Sequence, residues 1–302
     1  MDIRQQIEIG ILVCPKTKQR LFFDDNCQWV FTKDRLNKYP IKDQTIPILF
    51  IEKDWGEQYV NTSPEMIQEY QPENLAKKDS FLMKVKAKMV QDYRTKTSIK
   101  AFHNIFDKQP NNALCLSIGG GPGRPHPVLI NLNIGSFPNV DLVADAHMLP
   151  YADQSVDAIY CEAVLEHLYN PAQAVKEMYR VLKLGGTVFA VTPFLQAYHG
   201  YPHHYQNFTL TGHKYLFESH NFEVTEAGTC VGPIYTMVNL TSVLIHEYTP
   251  NFLTWPLQKT WGLIGAFLRP LDRLINYKEN SHILAATTYL VGIKSQVRKT
   301  LS

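Results

Sequence analysis

Residues 116–123 read Leu116-Ser117-Ile118-Gly119-Gly120-Gly121-Pro122-Gly123, an apolar strand-like run that stops on a glycine-rich turn. Glycine there permits positive φ and lets another molecule approach the backbone with no Cβ in the way. The surrounding pattern restricts the fold further. Apolar runs at 113–118, 128–134, 140–144, 155–161 and 187–192 are short and strand-like. Before the last of them, residues 170–182 carry Ala174, Val175, Met178, Val181 and Leu182 at helical spacing, with Gly185-Gly186 as the stop. Strands alternating with helical stretches predict a doubly wound, mostly parallel α/β sheet covered on both faces. Such sheets bind ligands beyond the carboxyl ends of their strands.

The amino-terminal part differs. Short apolar runs at 9–13, 21–23, 29–31 and 46–50 are separated by Pro, Asp and Asn turn signals, which predicts a small β-rich unit over 1–55. So short a unit has a thin core and is expected to pack on a neighbour. From 56 to 108 the alternation stops. Met66, Ile67, Tyr70, Phe81, Leu82, Val85, Met89 and Tyr93 recur at helical spacing, among Lys77, Lys78, Lys84, Lys86, Lys88, Arg94, Lys96 and Lys100. This reads as a helical, lysine-rich linker, its basic face either solvated or turned to nucleic acid or an anionic membrane. Toward the carboxyl end, Leu257, Trp261, Ile264, Leu268, Leu271 and Ile275 predict an amphipathic helix over 256–276, interrupted at Pro270; 283–293 reads as a late strand.

Apolar residues make up 45% of the 302, enough for a substantial core, and the net charge of +2 favours no particular partner. Cys14, Cys27, Cys115, Cys161 and Cys230 are scattered with no C-x-x-C pair, the usage expected of reduced thiols and a cytoplasmic location. The first residues lack the apolar core of a secretory signal, and no stretch approaches the ~18 uninterrupted apolar residues of a membrane span.

A glycine-rich turn by itself suits a dinucleotide, a phosphate, S-adenosylmethionine (SAM) or simply a tight bend, and no Gly-Lys-Ser/Thr follows to make a phosphate loop. The order of later motifs narrows this. Residues 141–160 run Asp141-Leu-Val-Ala-Asp145-Ala-His-Met-Leu-Pro150-Tyr-Ala-Asp153-Gln-Ser-Val-Asp157-Ala-Ile-Tyr. Glu162-Ala-Val-Leu-Glu166-His167 comes next, then Leu182-Lys-Leu-Gly185-Gly186. Over 112–225 the chain resembles the class I SAM-dependent methyltransferases of the type 11 group. Tyr151 and Val156 stand for phenylalanines of that pattern, and Leu184 for its proline.

The resemblance implies roles for individual residues. Gly119, Gly121 and Gly123 would line the methionine and ribose part of SAM. Asp145 would accept from the adenine amino group, with Ala146 beside the ring. Glu162 would border the methionine or the acceptor. Glu166 and His167 would begin the helix after the fourth strand of the domain, in packing or dipole compensation, or would serve catalysis. Two positions depart from the pattern. Ser117 and Asn133 stand where the family has acidic residues, and an asparagine at 133 offers the ribose hydroxyls a single acceptor. The loop from Gly123 to Val128 also leaves no room for the usual helix. Its Gly123-Arg-Pro-His126-Pro127…Asn131-Leu-Asn133-Ile resembles a short-loop subgroup.

After the 187–192 run comes a loop dense in aromatics and histidines, Pro193-Phe194…Tyr198-His199…Tyr201-Pro-His203-His204-Tyr205…Phe208-Thr209. It resembles the subgroup element that borders the acceptor pocket. His199 and His204 are the catalytic candidates, as proton acceptors from an attacking hydroxyl. No metal is expected, because no carboxylate or cysteine joins these histidines at ligand spacing.

Residues 12–49 resemble the small zinc-ribbon-like activator protein of tRNA and protein methyltransferases, in Leu12-Val-Cys14-Pro15 and Tyr39-Pro40-Ile41-Lys-Asp43-Gln-Thr-Ile-Pro47. Thr17 replaces the second cysteine, so no structural zinc is expected. The implied role is to brace the larger domain or to bind the acceptor.

The domains expected are therefore the β-rich unit at 1–55, the linker at 56–108 and a SAM-dependent methyltransferase domain with a helical carboxyl-terminal insertion at 109–302. The expected activity is methyl transfer to a small-molecule or glycan- or lipid-linked acceptor at oxygen, with peripheral membrane contact through the amphipathic helix. The alternatives are RNA or protein as the acceptor, and a degenerate binding protein that kept the fold without the reaction.

Overall fold

The computed structural model describes residues 1–43, 45–49, 93–200, 203–275 and 278–295. The linker positions from Met66 to Met89 lie outside them, as do Tyr201 and Pro202.

The amino-terminal unit opens on α1 (Ile3–Glu8), capped by the Asp2 side chain, which accepts from Gln5 N. Strands β1 (Leu21–Phe23), β2 (Trp29–Thr32), β3 (Lys38–Lys42) and β4 (Ile46–Leu49) then pair antiparallel in sequence order. The strand expected at 9–13 does not form. Leu12 and Val13 make only isolated bridges, to Tyr151 and Arg20, because the residues before them are helical.

The larger unit holds α2 (Lys96–Phe106), β5 (Cys115–Ile118), β6 (Leu129–Asn133), β7 (Leu142–Ala144), β8 (Val156–Glu162), α3 (Pro171–Val181), β9 (Leu182–Pro193), α4 (Leu210–Glu218), β10 (Phe222–Val231), α5 (Pro233–Tyr248), α6 (Asn251–Leu268), α7 (Asp272–Ile275) and β11 (Thr287–Lys294). All the described strands join one sheet in the order β1-β2-β3-β4-β7-β6-β5-β8-β9-β11-β10. It is parallel from β4 to β9 and antiparallel at both ends. From β5 the chain winds outward first through β6 and β7, then through β8 and β9, so a topological switch point lies at the carboxyl end of β5.

Alternate residues of the central strands feed two cores, as period-2 side-chain geometry requires. Leu116, Ile118, Ile159, Cys161, Val188 and Ala190 pack with Val175 and Met178 of α3 and Phe217 of α4. Cys115, Ala158, Tyr160, Phe189 and Val191 pack on the opposite face with Ala101, Ile105 and Phe106 of α2. The connection from β5 to β6 carries no helix, and the amino-terminal unit adds to the sheet on that side. Its β4 pairs with β7 through Ile48–Val143 and Leu49–Ala144. Leu12, Leu21, Val30, Tyr39 and Leu49 are continuous with Leu132, Leu142 and Ala144 in one core. Lys18 ties the units at their rim, donating to Leu149 O and to Glu177 at 3.1 Å.

The carboxyl-terminal helix starts and ends earlier than its sequence period suggested. It begins at Asn251, runs past Pro256 and stops at Leu268, before Pro270. Its inward face is Gln258, Trp261 and Gly265; of the expected stripe Trp261 turns inward while Leu257, Ile264 and Leu271 stay exposed, because its partner is α5 rather than the sheet. Gln258 bonds Ser242, the Trp261 indole donates to Val238 O, and a Cβ on Gly265 would stand 2.6 Å from Val238. The buried Asp272 carboxylate accepts from Ile234 N and Tyr235 N at 2.9 and 2.8 Å, supplying α5 with a cap its own sequence lacks. The late strand starts at Thr287, after a 3₁₀ turn at Glu279–Leu284.

His213 of α4 is fully buried against Thr288, and burial pushes its imidazole down to about 3. The unfolded chain takes up a proton near pH ~6.5 that the folded chain refuses, so this stability is present above 6.5 and is lost as pH falls toward 3. His213→Asn is expected to shrink the drop in urea-unfolding free energy between pH 6.5 and 5 by about 2 kcal/mol. An unchanged drop would contradict the burial argument.

Candidate functional site

The glycine turn leaves β5 at the switch point. Gly119 has φ +70°, and a Cβ on it would stand 2.3 Å from Val164 Cγ2. A Cβ on Gly120 would stand 2.5 Å from Ser117 Oγ. Gly121 has φ +56° and nothing within 4 Å of where its Cβ would be, so the turn presents open backbone at that point. Gly123 N donates to Gly120 O at 3.2 Å and closes the turn. Asn131, which the sequence reading assigned no role, holds it from beneath. Its buried amide donates to Gly121 O, Gly123 O and Asn139 O at 2.9, 3.3 and 3.0 Å. Its neighbour Asp141 accepts from Asn131 N and pairs with Arg124 of the same loop at 2.7 Å.

The other candidate residues end successive strands beside the turn. Asn133 closes β6, and its Oδ1 accepts from Gly135 N at 3.1 Å. Asp145 follows β7 and caps the 3₁₀ turn Ala146–Met148. Its Oδ1 accepts from His147 N at 2.8 Å and meets His147 Nδ1 at 2.7 Å. His147 in turn stacks on Tyr169, with ring centroids 4.3 Å apart. Ala146 is buried beside it. Glu162 closes β8 and is held by Arg94 in a two-point ion pair and by the Tyr160 hydroxyl. Arg94 lies one residue before the Thr95 cap of α2, distant in sequence from every motif, and nothing in the sequence marked it for the site. The strands' carboxyl edge therefore carries Gly119, Asn133 and Glu162 in register on β5, β6 and β8, with Asp145 two residues further along from β7.

Beyond Glu162 the chain bends through Ala163 at φ +53°. Glu166 and His167 do not begin a helix. They lie in a separate 3₁₀ turn, Leu165–His167, and the helix starts later at Pro171. The bend carries the Glu166 side chain inward, where it is 0% exposed and neither carboxylate oxygen has a hydrogen-bond partner. His167 Nε2 and His199 Nε2 lie 3.8 and 3.9 Å from Glu166 Oε1. The facing carboxylate raises His199 above the ordinary imidazole value, against the effect of burial. The expectation that no carboxylate joins these histidines is thus corrected: the fold supplies Glu166 from 33 residues upstream of His199. His204 is placed differently. Its Nδ1 accepts from His199 N at 3.2 Å and its Nε2 meets Asn207 Oδ1 at 2.7 Å.

In the amino-terminal unit, Cys14 Sγ accepts from Thr17 N and meets the Tyr39 hydroxyl at 3.2 Å, whereas Cys27 lies beside Arg4. A cleft of about 710 Å³, lined by Met1, Phe23, Ile46, Leu129 and Asp141 among others, opens at the amino ends of the strands. Arg124, which follows the glycine turn, and its partner Asp141 lie on its wall, and none of the candidate residues lines it.

Residues 132–190 match the methyltransferase domain family. Among curated proteins, a ubiquinone/menaquinone biosynthesis C-methyltransferase of Klebsiella pneumoniae is 36% identical over 80 residues, 24% of this chain and 32% of that protein. A probable S-adenosylmethionine-dependent methyltransferase of Mycolicibacterium smegmatis is 41% identical over 58 residues, 19% of this chain and 23% of that one. The matches thus span a third or less of these relatives' lengths. Among solved structures, the [4+2]-cyclase SpnF aligns over 65% of this chain and 79% of its own at 17% identity and TM-score 0.43. The Haloferax volcanii complex of the Trm112 methyltransferase activator with a putative methyltransferase aligns over 66% of this chain and 93% of that one at 16% identity and TM-score 0.42.

Proposed function

We propose that this chain, whose residues 132–190 form a methyltransferase-domain segment, binds SAM over the carboxyl ends of β5 to β8 and transfers its methyl group to an oxygen of a small-molecule or glycan- or lipid-linked acceptor. The observation that carries this reading is the glycine turn at the switch point, open at Gly121 and flanked by Asn133 and Asp145. Gly119, Gly121 and Gly123 line the methionine and ribose part. Asn133 meets the ribose with its amide. Asp145, held rigid by His147, faces the adenine amino group with Ala146 beside the ring. Bound SAM supplies a methyl group on a sulfonium already activated toward in-line attack, so the protein's main task is to hold the acceptor against it. Glu162, fixed by Arg94, borders the methionine end. The Glu166–His167–His199 cluster activates the acceptor's hydroxyl, and His204 positions His199 through its backbone.

Calorimetry on the full chain tests this. Binding of SAM is expected, with Asp145→Ala weakening it by about 10-fold or more, the worth of one charge-assisted hydrogen bond. A folded protein that binds nothing at millimolar SAM would end the proposal.

A lipid-linked acceptor reached from an anionic membrane surface is favoured by the α5–α6 hairpin. Tyr248, Phe252, Trp255 and Phe267 are 82%, 77%, 71% and 75% exposed, and Leu244, Leu253, Leu263 and Ile264 surround them. Exposed apolar surface of this extent marks an interaction site. Over 233–275 the exposed acid is Glu247 alone, because Asp272 is buried as a cap, while Lys259, Arg269 and Arg273 supply positive charge. Apolar aromatics with basic residues fit an anionic lipid headgroup layer. No described helix is long and apolar enough to cross a membrane, so the contact proposed is peripheral.

A further inference from the structure

We infer that Glu166, His167 and His199 form a binding site for one divalent first-row transition cation. The ligand atoms of the three residues all lie within 4.8 Å of one another. The hydrogen bonds around them set the tautomers. His167 Nδ1 donates to His203 O at 2.6 Å, and His199 Nδ1 donates to Ala197 O at 2.9 Å. Each ring, when neutral, thereby keeps its Nε2 lone pair, and both Nε2 atoms face Glu166 Oε1 at 3.8 and 3.9 Å, a place that a cation would take from a proton on His199. Those separations are too long for hydrogen bonds and close to the spacing of ligands around a common ion.

The fully buried Glu166 carboxylate is the second, independent observation. Both of its oxygens lack a hydrogen-bond partner, and an unpaired buried charge is costly unless something positive meets it. A cation between the three side chains would satisfy the carboxylate and both imidazole lone pairs at once. Imidazoles anchored through Nδ1 to backbone carbonyls are the usual outer shell of metal-bound histidine. Two nitrogens and one carboxylate oxygen select a transition cation over magnesium or calcium, which favour all-oxygen sites. The remaining coordination positions would be free for water or for an acceptor oxygen, whose pKa the cation would lower, its proton passing to bulk water. That role in the reaction rests on the methyltransferase reading; the binding itself does not.

The test uses the full chain stripped with chelator and titrated with Co2+, read by visible absorption, and with Zn2+, read by calorimetry. One equivalent is expected, with Glu166→Gln and His199→Ala each weakening uptake by about 100-fold. Glu166→Gln should also melt higher than the stripped wild type, because it removes a buried charge, and should lose the Zn2+-dependent rise in Tm. His167→Asn serves as a second ligand variant. SAM affinity, measured on the same samples, is expected to stay within about 3-fold. Absence of Co2+ uptake at micromolar concentration, or uptake indifferent to Glu166→Gln, overturns the inference and leaves an imidazole–carboxylate pair. Uptake with one equivalent in a protein that fails to bind SAM upholds the cation site and rejects the methyltransferase reading instead.

Discussion

Gly119→Ala is expected to lower stability by about 3 kcal/mol, combining left-handed backbone strain with overpacking, and to weaken SAM binding by about 100-fold. The added methyl would meet the Val164 side chain at 2.3 Å in a fully packed wall, and Val164 is itself set by the bend at Ala163. Relief comes only by opening the turn, which pulls Gly121 O and Gly123 O off the Asn131 amide. Gly121→Ala separates structural need from ligand need. Its Cβ meets nothing within 4 Å, so only backbone strain, about 1 kcal/mol, should appear in urea unfolding. If that open face belongs to the cofactor, Gly121→Ala nevertheless loses SAM affinity as severely as Gly119→Ala does. Gly121→Ala with normal SAM titration would remove the glycine turn from the site.

The second large effect concerns the hairpin. Replacing Phe252, Trp255 and Phe267 together by serine is expected to abolish co-sedimentation with vesicles containing phosphatidylglycerol. Each aromatic inserted into the apolar boundary of a bilayer is worth roughly 1.5–3 kcal/mol, so losing all of them weakens binding by well over about 100-fold. The folded state should hardly notice, because these side chains point away from the α5 contact made by Gln258, Trp261 and Gly265. Phosphatidylcholine vesicles should bind more weakly than anionic ones, and the difference should fade with salt as Lys259, Arg269 and Arg273 are screened. Wild-type protein that ignores both kinds of vesicle would dismiss the membrane contact and leave a protein surface as the hairpin's partner.

Much of the parallel sheet was legible in the sequence because its strands are buried on both faces and read as mostly apolar runs. Its helices α2 and α3 carry clean caps at Thr95 and Asn170. The amino-terminal helix was missed because Ile7, Ile9, Ile11 and Val13 alternate like a strand, while the Asp2 cap and the bonds Ile11 N and Leu12 N make to Gln6 O turn them into a helix end. The covered face of α6 differs from its expected stripe because the inward face depends on which partner a helix finds. α6 is apolar on nearly every side, so its period cannot say which stripe is covered.

The same division holds at the site. The linear order of residues determined the glycine turn, the switch point behind it and the strand ends that bear Asn133, Asp145 and Glu162, since φ preference and alternation are local properties of the chain. Only the tertiary structure decided that Asn131 holds the turn, that Arg94 takes Glu162, and that Glu166 meets His167 and His199. Those contacts join residues that no local spacing relates, and burial in a shared low-dielectric interior, which gives an unpaired carboxylate its consequence, exists only once the chain has closed around it.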